Sequence, residues 1–558
     1  MKRILLLVVL AWGIWLPSVA QKSEQGEHLE QVTSQLEIFN DLYRQLDQYY
    51  VDTLNPKKQI ENAILYMLAQ LDPYTVYYAQ DQKEDLKQMT TGKYAGIGSV
   101  ISYDKRLDRN IIREPYEGMP AAEAGLRPGD IILRIGDKEI GVCGKQDVAE
   151  YSSSISNALR GEPATSFQLV VKRPWVADSM TFKLTRRVVE LPSVTYYGIL
   201  ADSVGYLSLN GYTEHTSRDV RLAFEDLKRK GAKRLMLDLR GNGGGLMMEA
   251  VNLVNLFLPR GYTVVSTKGK VKEEESSFKT RKEPWDTEIP LVVLTDFGTA
   301  SAAEITSGAL QDYDRAVIVG ERTYGKGLVQ QPRLLENGAM FKLTTSKYYI
   351  PSGRCIQAYE FENGMPKHLP DSLTKEFQTA AGRLVRDGGG INPDVNVKAD
   401  SLPNFIDMLT ISDALFDYVV KYRNTHDQIA PADEFHLTAA EYADFQAFVK
   451  EKKFTYDRGS SRMLDMLRKM AKLEGYAEVA KDEFKALEAK LSPDINYDFK
   501  RWEKEVRKLV ETAIVTSFYY EKGAILATLQ EDKFIQEGLK VLCDDARYRS
   551  ILAAPKKK

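Results

Sequence analysis

The sequence predicts a multidomain α/β protein: an α/β core, a separate β-rich domain, and helical N- and C-terminal regions. Three observations carry that prediction. The 558 residues exceed what one hydrophobic core holds, so three or four domains are expected. Between about 190 and 400, near-continuous apolar strands alternate with amphipathic helices, the pattern of a sheet covered on both faces. Between about 88 and 187 the texture differs, with short β-branched runs punctuated by glycine and proline.

Taken in order, MKRILLLVVLAWGIWLPSVA begins with Lys2 and Arg3, continues apolar from Ile4 to Leu16 and ends on Ser18-Val19-Ala20. That is a signal-peptide pattern with cleavage after Ala20, which implies export to a periplasm or cell envelope. An uncleaved membrane anchor is the alternative, against which the apolar run falls short of the roughly 20 residues a span needs. Losing Lys2 and Arg3 takes the formal charge from -2 to -4. Residues 21–87 form an N-terminal helical region, with apolar periodicity in LEIFNDLYRQLDQYY and QIENAILYMLAQLDPY and a helical texture expected from 30 to 90 around a break at Pro73.

Within 88–187, the strand of NIIREP precedes a short helix around Ala121–Ala124, a stop at Gly125 and an RPGD turn into IILRIG; FQLVVKRPW and SMTFKLTRRVV add two strands. In 188–402, VGYLSLN leads to SRDVRLAFEDLKRKG, RLMLDLR leads through GNGGG to LMMEAVNLVNLFL, and PLVVLTD leads to a helix that opens at Ser301. The remainder, 403–558, is a helical extension whose alternating charges mark solvated faces.

Composition excludes several functions. A near-zero net charge without a basic run argues against nucleic acid as a partner. Cys143, Cys355 and Cys543 are odd in number and scattered, so they read as buried or half-buried free thiols with no disulfide framework. None of the five histidines is paired at ligand spacing; no metal and no cofactor are expected.

Ser301, in TDFGTASAAEITSGALQD, sits where a strand meets a helix, so its hydroxyl is exposed near the positive end of the helix dipole. The Ala302 amide would face an oxyanion formed there. Serine at such a position is also a common N-cap. LDLRGNGGGL (237–246) ends a strand in glycines that bring backbone N–H groups close to a ligand; Gly244 or Gly245 could complete an oxyanion hole, or the loop could be a plain tight turn. In GERTYGKGLVQQ, Lys326 lies between two glycines. Burial there would lower an amine from about 10.4 toward the 7–8 that suits a base. A surface lysine in a glycine loop is the alternative. Gln330, four residues on, is placed to accept a hydrogen bond from Lys326.

TASAAE around Ser301, Lys326 in TYGKG 25 positions later and Gln330 beyond it resemble the carboxy-terminal processing (tail-specific) proteases. YYVDTLNPKKQIENAILYMLAQLDPYTVYY resembles their N-terminal segment, YAGIGSVI with GMPAAEAGLRPGDIILRIGD their PDZ domain, and TTSKYYIPSGRCIQ with GGGINPDV their core. The resemblance covers about 40–400 and implies a core of the ClpP/crotonase-like sheet-and-helix kind, with a Ser–Lys serine endopeptidase activity. Ser301 would be the nucleophile, Lys326 the general base, Gln330 its orienting partner, and the N–H groups of Gly244 and Ala302 the oxyanion hole.

The same resemblance implies that the PDZ unit captures substrate C-termini. Backbone N–H groups around Ala95, Gly96, Ile97 and Gly98 would hold the carboxylate, Ile97 and Val100 would line a side-chain pocket, and a sheet edge would take the tail as an added strand. Arg173 resembles an arginine coupling PDZ docking to activation; a solvent-facing strand end is the other reading. Implied partners are envelope proteins with accessible apolar C-termini. Two departures stand out: many members read Asn-x-Pro-Gly-Gly where this chain has GNGGG, and the extension after 403 is long. That extension leaves dimerisation, restriction of access and adaptor docking open. A non-catalytic tail- or ligand-binding protein on the same fold is the competing function.

Overall fold

The computed structural model describes residues 24–80, 91–456 and 458–553. The expected signal peptide and its cleavage after Ala20 lie outside them, as does the expected boundary at 87/88. By compactness the chain divides into residues up to Leu71 and those from Asp72 onward.

The first unit is two helices, Glu24–Tyr49 and Pro56–Ala69. The second begins on a cap, Asn55 accepting the Lys58 N–H at 3.1 Å, with proline at its first position where no N–H is needed. The expected helical texture from 30 to 90 is interrupted, and its part from 81 to 90 lies outside the described residues. After Ala69 the chain extends, and Val76–Tyr78 is a strand antiparallel to Met340–Tyr349. Pairing with a distant strand overrides local helical preference there.

In the second unit, the β-rich stretch forms the sheet Ser99–Asp104, Arg109–Pro115, Ile131–Ile135, Ser166–Lys172, Ser179–Thr185, with Lys138–Glu139 paired to the third strand. The expected short helix is Pro120–Glu123, and Val148–Leu159 packs its buried Tyr151, Ile155 and Leu159 into this unit's core. Ser99–Asp104 is an edge strand.

The α/β core is a six-stranded sheet in the order Val194–Ile199, Val204–Leu209, Arg234–Asp238, Leu291–Thr295, Val317–Gly320, Val395–Asn396. All pairings but the first are parallel. The helices Thr216–Arg229, Met247–Val254 and Ala302–Asp312 bury one face around Phe224, Val254, Phe257 and Leu310. The opposite face is covered from the far end of the chain. Val204, Met236, Leu294 and Val319 pack with Leu529, Phe534, Ile535 and Leu542. The helix Lys533–Cys543 therefore completes the core, although the sequence reads 403–558 as an appended extension.

A second, five-stranded sheet lies beside this core. Met340–Tyr349 pairs with Thr263–Gly269, with Leu328–Leu334 and with Val76–Tyr78, and Ser276–Lys279 joins through Thr263–Gly269. Helices Asn404–Thr410, Asp413–Thr425, Ala439–Glu451, Ile495–Arg501 and Glu503–Thr528 build their own aromatic core around Phe405, Tyr418, Phe445 and Phe499. The long helix is broken at Tyr520, whose φ is 59°. A cavity of about 310 Å³ lined by Arg113, Pro115, Leu415, Phe416, Leu509 and Tyr520 separates these helices from the β-rich sheet.

Candidate active site

Leu291–Thr295 is fully buried and apolar, and its parallel neighbours fix where the chain leaves the sheet. Six residues after the strand's end Ser301 stands at the N-terminus of Ala302–Asp312 with φ 55° and ψ -116°. L-residues rarely adopt such angles, which cost on the order of 1–3 kcal/mol unless neighbours impose them. Here they do. The Ala300 N–H donates to the Asn242 carbonyl at 2.9 Å, and Thr299 Oγ1 donates to the Leu239 carbonyl at 2.8 Å. Asp296 Oδ1 takes the N–H of Gly241 at 2.9 Å. The serine loop and the glycine loop 241–245 are thus bonded to one another.

The glycines are required by space. A Cβ on Gly244 would lie 2.8 Å from Ala300 O, Ala302 N and Ser301 Cβ, and Gly244 has φ +96°. The predicted donor role of Gly244 needs correction, because its N–H already donates to Asn242 Oδ1 at 2.9 Å. That bond closes the turn two residues after Asn242, a habit of asparagine side chains. Gly245 N–H has no acceptor among the described residues, and neither has Ala302 N–H at the first turn of the helix.

Glu304, one turn into the serine helix, is fully buried. Its Oε2 accepts the Ser301 N–H at 2.8 Å and the Lys326 N–H at 2.9 Å. Its Oε1 accepts the Gly325 N–H at 2.7 Å and the Thr323 hydroxyl. Burial pushes this carboxyl up to about 6, with the Thr323 hydroxyl and three backbone N–H groups pulling it down, so at neutral pH it is an ionised acceptor. One oxygen therefore ties the serine backbone to the lysine backbone. In the sequence, Glu304 is marked only as the one charged residue among the small residues of TASAAE.

The lysine loop is held from its other side by Gly327 N–H to Gln357 Oε1 at 2.7 Å and Ala358 N–H to the Gly325 carbonyl at 2.9 Å. A Cβ on Gly325 would meet Ala358 Cβ at 2.4 Å. Lys326 Nζ lies 4.3 Å from the centre of the Tyr74 ring. Burial, then the nearby Lys342 charge, lowers the amine to about 8, against the opposing pull of Glu304 and Asp72. The expected Lys326–Gln330 hydrogen bond is not formed. A register shift between Val329 and Gln330 re-aims the side chain, and its amide donates to Thr344 Oγ1 at 3.2 Å.

Phe297, Tyr324, Tyr359 and His368 form a row with 5.5 Å between successive ring centres, and Phe297 is 57% exposed.

In the β-rich unit, Ala95 and Gly96 lie in a strand, Lys93–Gly96, antiparallel to Arg187–Glu190. Gly98 needs its φ of +69°, since a Cβ would lie 2.4 Å from Met119 Cβ. Ile97 is 3% exposed within the unit's own core, so it does not line an open pocket. Val100 is 36% exposed on the edge strand. Arg173 is not the solvent-facing strand end that was its other reading. It is buried in a two-bond pair with Asp130, both at 2.8 Å, and donates to the Gly125 carbonyl. Of the cysteines, Cys143 is buried and Cys355 half-buried as expected, while Cys543 is exposed.

Known proteins share this plan. Residues 203–366 match peptidase family S41, residues 111–173 match a PDZ domain, and residues 405–542 match a family described as probable PDZ-protease, C-terminal helical domain. The fold is that of a PDZ-containing serine peptidase. The carboxy-terminal-processing protease of Bartonella bacilliformis is 34% identical over 345 residues, covering 61% of this chain and 75% of that one. The carboxy-terminal processing protease CtpA of Bacillus subtilis is 31% identical over 341 residues, covering 61% and 70%. A solved photosystem II D1 C-terminal processing protease is 27% identical, covers 65% of this chain and 93% of its own, and has a TM-score of 0.35. The chain belongs to the carboxy-terminal processing protease family, peptidase family S41.

Proposed function

We propose that this serine peptidase is an exported Ser–Lys endopeptidase that cleaves envelope proteins in or near their C-terminal regions. The observation that carries the dyad is the sharing of Glu304 Oε2 by the Ser301 and Lys326 N–H groups. Neutral Lys326 removes the Ser301 hydroxyl proton as Oγ attacks the scissile carbonyl. The Ala302 N–H and the Gly245 N–H of the glycine loop receive the oxyanion. The departing amine takes the proton from Lys326, and the Lys326 amine, neutral again, deprotonates the water that hydrolyses the acyl-enzyme.

The aromatic row beginning at Phe297 supports apolar substrate segments. The exposed edge Ser99–Asp104 supports capture of a tail as an added strand, with Gly96, Gly98 and Val100 beside it. Export rests on the leader-like residues 1–20. A homodimer through the N-terminal helices is supported by Leu29, Leu36, Phe39 and Leu42, which stay 47–66% exposed on Glu24–Tyr49. Of the C-terminal helices, Lys533–Cys543 serves the core, with Phe534 and Leu542 buried against the sheet.

Ser301→Ala and, separately, Lys326→Ala are expected to abolish cleavage of a protein with an unstructured apolar C-terminus while keeping the wild-type circular dichroism. Undiminished cleavage by either variant contradicts the dyad.

A further inference from the structure

The Lys326 amine has no hydrogen-bond acceptor among the described residues, and the residue expected to orient it is bonded elsewhere. What touches it is the face of Tyr74. That ring belongs to Asp72-Pro73-Tyr74-Thr75, a segment about 250 positions away in sequence.

The segment is rigidly built. Asp72 Oδ1 accepts the N–H groups of Tyr74 at 2.7 Å and Thr75 at 2.8 Å, and Oδ2 accepts the Thr75 hydroxyl at 3.0 Å. Asp72 and Thr75 are 9% and 4% exposed. Thr344 joins the segment to the sheet, its hydroxyl donating to Asp72 at 3.3 Å and its N–H to Thr75 Oγ1 at 3.2 Å. Gln330 ends this chain through its 3.2 Å bond to Thr344. The ring itself is steadied by an edge contact with Phe361, centres 5.9 Å apart, and by a 3.2 Å bond between the Tyr74 and Tyr324 hydroxyls.

We propose that Tyr74 is a positioning residue for the Ser–Lys reaction: its ring is the wall against which the Lys326 amine is held away from water, and the Asp72–Thr75–Thr344–Gln330 chain holds the ring in place. Gln330 thus acts on the lysine through Tyr74 rather than by a direct bond. The inference rests on the Ser–Lys reading for its catalytic meaning, although the geometry exists without it. A ring face offers an ammonium some attraction but no acceptor lone pair. It therefore covers the amine without locking its proton as a carboxylate would, and a base must be able to shed that proton. The charged and titratable groups that also bear on the amine are Lys342 on the neighbouring strand, Glu304 beneath the loop, and Asp72. Burial raises the Tyr74 phenol well above its ordinary value, so the ring stays uncharged.

The test is competitive acetylation with acetic anhydride over a pH series on the full-length protein. The peptide carrying Lys326 is followed by mass spectrometry, and kcat/KM is measured in parallel. Tyr74→Phe keeps the ring and is expected to keep the wild-type labelling midpoint. Tyr74→Ala admits water, so the midpoint should rise toward an ordinary lysine near 10.4 and kcat/KM at pH 7 should fall on the order of 10–100-fold. Where Tyr74→Ala does not fold, Thr344→Val cuts the same chain at nearly constant volume and should move the midpoint in the same direction. The proposal is overturned if the midpoint stays put in the alanine variant (or in Thr344→Val where that variant is the one used), or if Tyr74→Phe moves as far as Tyr74→Ala. Labelling needs no turnover, so an active Lys326→Ala would remove the Ser–Lys reading and leave the Tyr74 result interpretable.

Discussion

Lys326 carries two costs that its surroundings impose together: a buried amine and the Lys342 charge close by. Its folded value, about 8, lies below the ordinary one, so between the two the unfolded chain binds the extra proton and stability rises with pH. Below about 8 the whole penalty is present. Lys326→Met is therefore expected to be inactive yet more stable than wild type at pH 7, by roughly 1–3 kcal/mol in urea unfolding; a destabilised variant contradicts burial of an unpaired amine. Glu304 makes the opposite case. Glu304→Gln keeps the shape but turns an NH2 group toward two of the four donors, costing about 2–4 kcal/mol and, by loosening two loops at once, at least about 100-fold in kcat/KM. The same chemistry sets what the sequence reveals at this scale. Ser301 and Lys326 are recognisable because glycine and alanine flank them. Glu304 is not, because a buried carboxylate looks like any helical glutamate until its four donors are in place. Tyr74 is less visible still, since the residue it serves lies about 250 positions downstream.

The strand-to-helix turns decide function at the level of elements. The strands Arg234–Asp238 and Leu291–Thr295 are parallel neighbours, so the loops after them emerge side by side and bond to each other. Glycine in the first loop is set by contact rather than by flexibility. Gly244→Ala puts a methyl carbon 2.8 Å from Ser301 Cβ at a φ of +96°, and should cost about 1–3 kcal/mol and nearly all activity; wild-type cleavage would contradict the close approach of the two loops. The order of strands and helices from 190 to 400 could be read from apolar runs because a buried parallel strand needs them. Gln330 shows where such reading stops. Its spacing from Lys326 suits a direct bond, but the irregularity at Val329 turns the side chain to Thr344, and no pattern of residue types announces it. Ile97 likewise has the composition of a pocket residue and the burial of a core residue.

Across the whole molecule, the C-terminal segment is part of the core. Leu529, Phe534, Ile535, Val541 and Leu542 are at most 7% exposed and face the second side of the main sheet. At about 1.5–3 kcal/mol for each large apolar side chain, their burial approaches the 5–15 kcal/mol that separates folded from unfolded chains. A chain ending at Thr528 is expected to lose cooperative unfolding and to be digested by trypsin under conditions that spare the full chain; a stable truncated protein would contradict this role. The link extends to the site, because Arg240, which leads into the glycine loop, pairs with both Asp238 and Asp532. Amphipathic helices are visible in the sequence of 403–558, but not the face they cover, since an apolar stripe does not name its partner.

The central claim is that a buried lysine is the base. The pH dependence of kcat/KM for an unstructured, apolar-tailed substrate tests it most directly, because that quantity reports the groups of the free enzyme. The account predicts a limb that rises with pH through a midpoint near 8, the value burial gives Lys326. A profile flat from pH 6 to 9, or one with its midpoint near the value of about 6 set for Glu304, would contradict it.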